Sequence, residues 1–222
     1  ICANLIKDLP QRTALVIERR FGLKTGTRET LDTIGQSFGR TRERVRQLEE
    51  QGLVNIQKKF SDYENIFEYF EKVLLSFGGI KKEWELLEIL GNKKYQNQVF
   101  FLLTNNSAFK KFLEDEKFYS FWSLGNKPVK EAKNLIKLLI NRFKEEKKVL
   151  SLKELLASQK VNKDTFLSFI GISKEIEKNP EGMYGLKGWL EINPRGVKDK
   201  AYLVLKKQGK PLHFRDITKF ID

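Results

Sequence analysis

The sequence predicts a mainly α-helical fold with short β-hairpins, on three observations. Apolar residues recur at helical spacing through most of the chain. Two short helices joined by a glycine turn lie near the start, and two hairpin patterns follow, the first with aromatics alternating on both sides of a polar turn. Together these give a helix-turn-helix followed by tandem winged-helix units.

Taken in order, "LIKDLPQRTALVIERRF", Leu5 to Phe21, reads as a helix with Pro10 near its first turn and Ala14, Leu15, Val16 and Ile17 on its buried side. Gly22 ends it. After the polar loop "KTGTRE", Thr30 caps "LDTIGQSF", whose Leu31, Ile34 and Phe38 share one face. Gly39 turns the chain and Thr41 caps "RERVRQLEEQG", while Gly35, with no side chain, lets the two helices approach closely. Beyond "KKFSDY" the arginines nearly vanish, and "YENIFEYFEKVLLSF", "KEWELLEILG" and "YQNQVFFLLTNN" follow as three helices. "FKKFLEDEKFYSFWSL" then reads as a hairpin, with aromatics alternating on both sides of Glu114 to Lys117.

That order recurs. "VKEAKNLIKLLINRFKEE", "SLKELLAS" and "NKDTFLSFIG" lead to a hairpin that turns at Asn179 to Gly182, and both units end on an aromatic followed by a leucine. An internal repeat of about 60 residues accounts for this economically. "KDKAYLVLKKQG" and "HFRDITKFI" restate its opening a third time. The expected organisation is therefore a helix-turn-helix module at 1–60, winged helices at 62–126 and 129–192, and the start of a third at 194–222. Pro128 and Pro194 disfavour long helices across the joints, so the modules are expected to be separate bodies, with proteolysis opening first near 58–62 and 126–129.

Charge narrows the function. The 222 residues carry 42 Lys+Arg against 29 Asp+Glu, a formal net charge of +13, which points to a polyanionic partner. There is no long apolar run and no signal peptide, so neither a membrane-spanning nor a secreted protein is expected. The lone Cys2 cannot form an internal disulfide, which suits a cytoplasmic location. His213 and Cys2 lack the neighbours that a catalytic or metal constellation needs, so no enzyme activity, cofactor, metal or small-molecule substrate is expected. Trp84, Trp122 and Trp189 read as core and hairpin-packing residues. The chain begins with Ile and stops in mid-pattern, so a longer protein is expected.

The arginines concentrate in "FGRTRERVRQLEEQG", where Val45 and Leu48 supply the inward face. Arg42 and Arg46 are four apart, as are Glu43 and Gln47, and this spacing places them on the opposite face, where they can enter a major groove. Arginine can bond guanine O6 and N7, glutamine adenine N6 and N7, and glutamate can accept from cytosine N4. Arg40 in the turn and Arg44 off that face suit phosphates, which orient without specifying bases. Double-stranded DNA is thus the expected partner.

These residues carry a resemblance. "LDTIGQSFGRTRERVRQLEEQGL", preceded by "LPQRTALVIERRFGL", resembles region 4 of the sigma-70 family, the part that recognises the promoter −35 element, over about residues 5 to 57. By that resemblance Arg42, Glu43, Arg46 and Gln47 are base readers, Thr41 and Arg44 lie near the DNA backbone, and RNA polymerase core is a further partner. Nothing in the chain resembles the region that melts the −10 element. The later stretches "YGLKGWLEI" and "KDKAYLVLKKQGKPLHFRDITKFI" look like the winged helix of the RNA polymerase delta subunit and the related HARE-type helix-turn-helix. That similarity implies association with transcription machinery or DNA, and it keeps open a second reading, an RNA polymerase-associated interaction protein of the delta kind or the DNA-targeting arm of a larger enzyme.

Overall fold

The computed structural model describes residues 1–221, with side chains to residue 220. It is mostly helical with two small antiparallel sheets, and the chain divides into two compact units. The first comprises Ile1–Leu113 with Ser120–Pro128, the second Glu114–Tyr119 with the chain from Val129 onward.

The first unit opens with α1 (Cys2–Ile6) and α2 (Gln11–Phe21). The single helix expected from Leu5 to Phe21 is corrected to two. Pro10 is extended (φ −52°, ψ 137°) and serves as the N-cap of α2, and proline disfavours helical geometry in the residue before it, which keeps α1 from running on into α2. Gly22 ends α2 in the left-handed region at φ 62°, as expected, with its N–H returned to the helix. The polar loop leads to α3 (Leu31–Ser37) and α4 (Arg42–Gln57), and Val16, Ile34 and Val45 form the small core between these three helices. Leu31, Phe38 and Leu48 pack around it.

After a 3-10 turn at Phe60–Tyr63 come α5 (Glu64–Ser76), β1 (Ile80–Lys82) and α6 (Glu83–Asn105), then β2 (Phe109–Phe112) and β3 (Phe121–Leu124). Non-helical backbone at Asn92 and Tyr95 kinks α6 into two segments, which match the two helices read from the sequence. The sheet order is β1-β3-β2, with Ile80 opposite Ser123 and Phe112 opposite Phe121. Residues of α1, α2, α4, α5, α6, β2 and β3 share one core: Leu5, Ile17, Phe21 and Ile56 are buried in the same cluster as Phe67, Phe70, Phe101 and Trp122. Phe21 meets Phe101 edge-on at 5.0 Å. The expectation that 1–60 and 62–126 are separate bodies is therefore corrected: the apolar side of the first module is completed by the second.

The second unit repeats the same order of helix, strand, two helices and two strands. It holds α7 (Lys127–Glu146, from Val129), β4 (Leu150–Ser151), α8 (Leu152–Leu156), α9 (Lys163–Gly171), β5 (Ile176–Lys178) and β6 (Met183–Leu186), with sheet order β4-β6-β5. The β5–β6 hairpin turns at residues 179–182 as expected. Ser151 and Glu154 cap α8 reciprocally, and Asn162 caps α9. Helices α10 (Val197–Gln208) and α11 (Phe214–Ile221) follow, and α10 has no buried residue. Asp222 lies outside the described residues.

Candidate nucleic-acid interface

The turn between α3 and α4 fixes the site. Gly39 is left-handed at φ 60°, and the Arg40 N–H donates to the Gly35 carbonyl at 2.9 Å. A Cβ on Gly35 would lie 2.7 Å from the Arg40 carbonyl oxygen, a backbone atom with no room to yield. The close approach of α3 and α4 expected at Gly35 is thus a steric requirement of the turn. Each helix starts on a threonine cap: the Thr30 hydroxyl accepts from the Thr33 N–H at 3.1 Å, and the Thr41 hydroxyl from the Arg44 N–H at 3.2 Å.

Val45, Gly52 and Ile56 are the buried residues of α4, with Leu48 and Glu49 half-buried beside them. At about 100° per residue, Glu43 and Gln47 project opposite Val45, as expected. Arg42 and Arg46 lie on one flank and Arg44 on the other, so the arginines bracket the outward face instead of sharing it. Arg42 is exposed and lines a shallow cleft of about 440 Å³ with Arg20, Thr30, Leu31 and Asp32. Arg46 donates to both carboxylate oxygens of Glu43, at 2.9 and 2.8 Å, and to Glu50. That pairing holds the Glu43 carboxyl below its usual range and raises the Arg46 guanidinium. Arg44 donates to the Gln47 side-chain oxygen at 3.0 Å. Arg40 and Thr41 are both exposed at the helix start, where backbone amides favour an anion. All seven residues singled out from the sequence therefore fall on the turn and first two turns of one helix.

Several residues that hold this surface carry no such signal in the sequence. Arg19 bonds both oxygens of Glu29, at 2.8 and 2.6 Å, donates to the Ser37 hydroxyl at 2.6 Å and lies over the Phe38 ring. This ties α2 to the loop before α3 and to the end of α3. Arg20 bonds Glu49 at 3.2 Å and the Glu29 carbonyl at 3.0 Å, which anchors α4. Burial raises the Glu49 carboxyl, with Arg20 opposing the shift. The loop after α2 is fastened to α6: the Asn97 side-chain amide donates to the Gly22 and Gly26 carbonyls, Gln98 to Leu23, and the Arg28 guanidinium stacks 3.6 Å over Phe100. Only Glu50, four residues after Arg46, is within reach of helical spacing. The other pairs join segments too far apart in sequence for periodicity to register.

Of the tryptophans, Trp122 is buried and Trp189 packs edge-on against Phe143, as expected, but Trp84 is 62% exposed. Trp84 sits at the start of α6, before the helix turns into the core. Among the described residues no group of His, Cys, Asp or Glu could hold a metal ion, and no helix is long and apolar enough to cross a membrane.

Residues 5–58 match the family described as Sigma-70, region 4. Over 59 residues the chain is 42% identical to the RNA polymerase principal sigma factor HrdD of Streptomyces viridifaciens, a stretch that is 27% of this chain and 18% of that protein. The HrdD proteins of Streptomyces coelicolor (strain ATCC BAA-471 / A3(2) / M145) and Streptomyces griseus are 41% and 39% identical over the same length and shares. The chain thus spans less than a fifth of the length of these curated relatives. The helix-turn-helix at residues 5–58 is of the sigma-70 region 4 kind.

Proposed function

We propose that this chain is a non-enzymatic transcription protein that reads promoter-like duplex DNA of the −35 type by laying α4 in the major groove. The observation that supports it best is the composition of the capped helix start: Arg42, Glu43, Arg46 and Gln47 flank or occupy the outward face of a helix whose other side is fixed by Val45 and Ile56. In this reading those four residues read bases, and Arg40, Thr41 and Arg44 hold phosphates. Glu43 and Arg46 are paired with each other in the free protein, and the groove exchanges that pair for base edges.

The repeated helix–strand–helix–helix–strand–strand order supports a reading of residues 62–126 and 129–192 as winged helices, with α10 and α11 beginning a third. In both, the helix in third place is spent on packing. The second segment of α6 buries Val99, Phe101, Leu102 and Leu103, and α9 buries Thr165, Phe166, Ser168, Phe169 and Ile170. Neither suits base reading, so the sequence-specific contact is assigned to α4 alone. RNA polymerase core, in the cytoplasm, is the second partner in this reading.

The test is binding of the full chain to a −35-type duplex across a salt series. Log affinity should fall linearly with log salt, by about 0.9 per phosphate contact. Arg44→Ala should weaken all duplexes alike, while Gln47→Ala relaxes the choice of base at one position. A flat salt response, or equal loss of discrimination in both variants, contradicts the assignment.

A further inference from the structure

The charge of the second unit has a direction. Lys130, Lys137 and Lys144 stand seven residues apart on α7, with Asn134 and Asn141 at the same spacing between them. Seven residues is close to two helical turns, so all five share one line along the helix. All five are exposed, whereas the buried side of α7 consists of Val129, Ala132, Leu135, Ile136, Leu139 and Phe143. From Lys130 to Lys144 the line runs about 21 Å, at about 1.5 Å per residue. Lys133 borders it, with its ammonium 4.9 Å from the Phe118 ring and close enough to favour ionised Asp115. The acidic residues of α7 fall to the sides: Glu131 and Glu145 flank the line, and Glu146 is paired with Arg142 and Lys148. At its far end Lys144 and Lys147 line an open cleft of about 510 Å³ beside Trp189, whose Glu191 is paired with Lys206 at 2.7 Å.

We propose that this face of α7 is a second, sequence-independent contact for the sugar–phosphate backbone of duplex DNA. A row of ammonium and amide groups can bond phosphate oxygens but carries no fixed fork for a base edge. The three lysines stand about 10.5 Å apart along the row, so each can bond a separate phosphate. Two other elements of this unit are less suited to phosphate: α9 is largely buried, and the β5–β6 turn holds the acidic Glu181, bonded to Lys207. The contact is independent of base reading by α4, because a duplex of scrambled sequence suffices to detect it.

The test compares the full chain with the triple variant Lys130→Gln, Lys137→Gln, Lys144→Gln on a scrambled duplex across a salt series. An equal-charge control carries Lys160→Gln in the loop before α9, Lys163→Gln at the start of α9 and Lys178→Gln on β5. Three lost contacts should lower the log–log salt slope by about 2.7, so over a fourfold rise in salt the wild type loses about 40-fold more affinity than the α7 variant. The control should keep a slope near the wild type's, and the sequence preference of the α7 variant should be unchanged. An unchanged slope in a variant with the wild-type melting temperature overturns the proposal. So does an equal drop in the control, which would assign the effect to bulk charge, or loss of polymerase binding with duplex binding intact, which would make the face a protein contact.

Discussion

Because a Cβ on Gly35 meets the Arg40 carbonyl at 2.7 Å, Gly35→Ala should destabilise the protein by about 1–3 kcal/mol, read as a lower urea midpoint, and weaken duplex binding with it. An unchanged midpoint would show that the turn can open. Arg46 is held between Glu43 and Glu50, and exposed ion pairs of this kind are weak in water, so the DNA can compete with them. Glu50→Gln should therefore raise duplex affinity about twofold, measured by fluorescence anisotropy at fixed salt; weaker binding would mean that Glu50 orients Arg46 for its base. The Arg19 bonds hold the Glu29 carboxyl below its ordinary value of 4.5. A lowered carboxyl contributes stability that is complete above the unfolded value and lost as pH falls through the folded one. Glu29→Gln should thus melt below the wild type at neutral pH, with the gap closing as pH drops below 4.5. Glu43 and Gln47, outward on α4, were legible because spacing alone sets their phase, whereas Arg42 and Arg46, expected on the same face, lie on its flank. The Arg19–Glu29 and Arg20–Glu49 pairs were not legible, because a side chain's partner on another helix leaves no periodic trace.

At the scale of elements, caps and glycines were the readable signals. Thr30, Thr41 and Gly22 stand where the sequence puts them, each because a backbone group at a helix end needs a partner or a left-handed residue. Thr41→Ala removes the acceptor for the Arg44 N–H and should cost about 1 kcal/mol, with a matching loss of DNA affinity, since the same turn presents Arg42 and Glu43. Thermal melting and anisotropy on one sample check both. Strands β1 and β4, of 3 and 2 residues, escaped notice because so short a run shows no alternation. They add the outer strand that turns each hairpin into a three-stranded sheet. The break at Pro10 was legible in principle, since proline restricts the residue before it, but apolar spacing across Leu5 to Phe21 favoured one helix.

For the whole molecule, module count was easier to read than module independence. The repeat of order was visible in hydrophobic periodicity, but which apolar faces meet across modules is a matter of packing. Leu5, Ile17, Phe21 and Ile56 are buried with residues of α5 and α6, and at roughly 1.5–3 kcal/mol each their exposure rivals the stability of a small domain. A fragment of residues 1–58 should therefore be largely unfolded by circular dichroism, while residues 1–128 fold. Trypsin should likewise cut the full chain at Arg195 and Lys198, where α10 buries nothing, before Lys58 and Lys59, where the chain passes into the shared core. Early cleavage at 58–59 would restore the picture of separate bodies. The most direct measurement is selection of bound sequences from a random duplex pool by the full chain and by its Gln47→Ala variant. The expected result is one short enriched motif for the wild type, and the same motif relaxed at a single base pair for the variant. No enriched motif, or an identical motif from both proteins, would contradict the reading of DNA by α4.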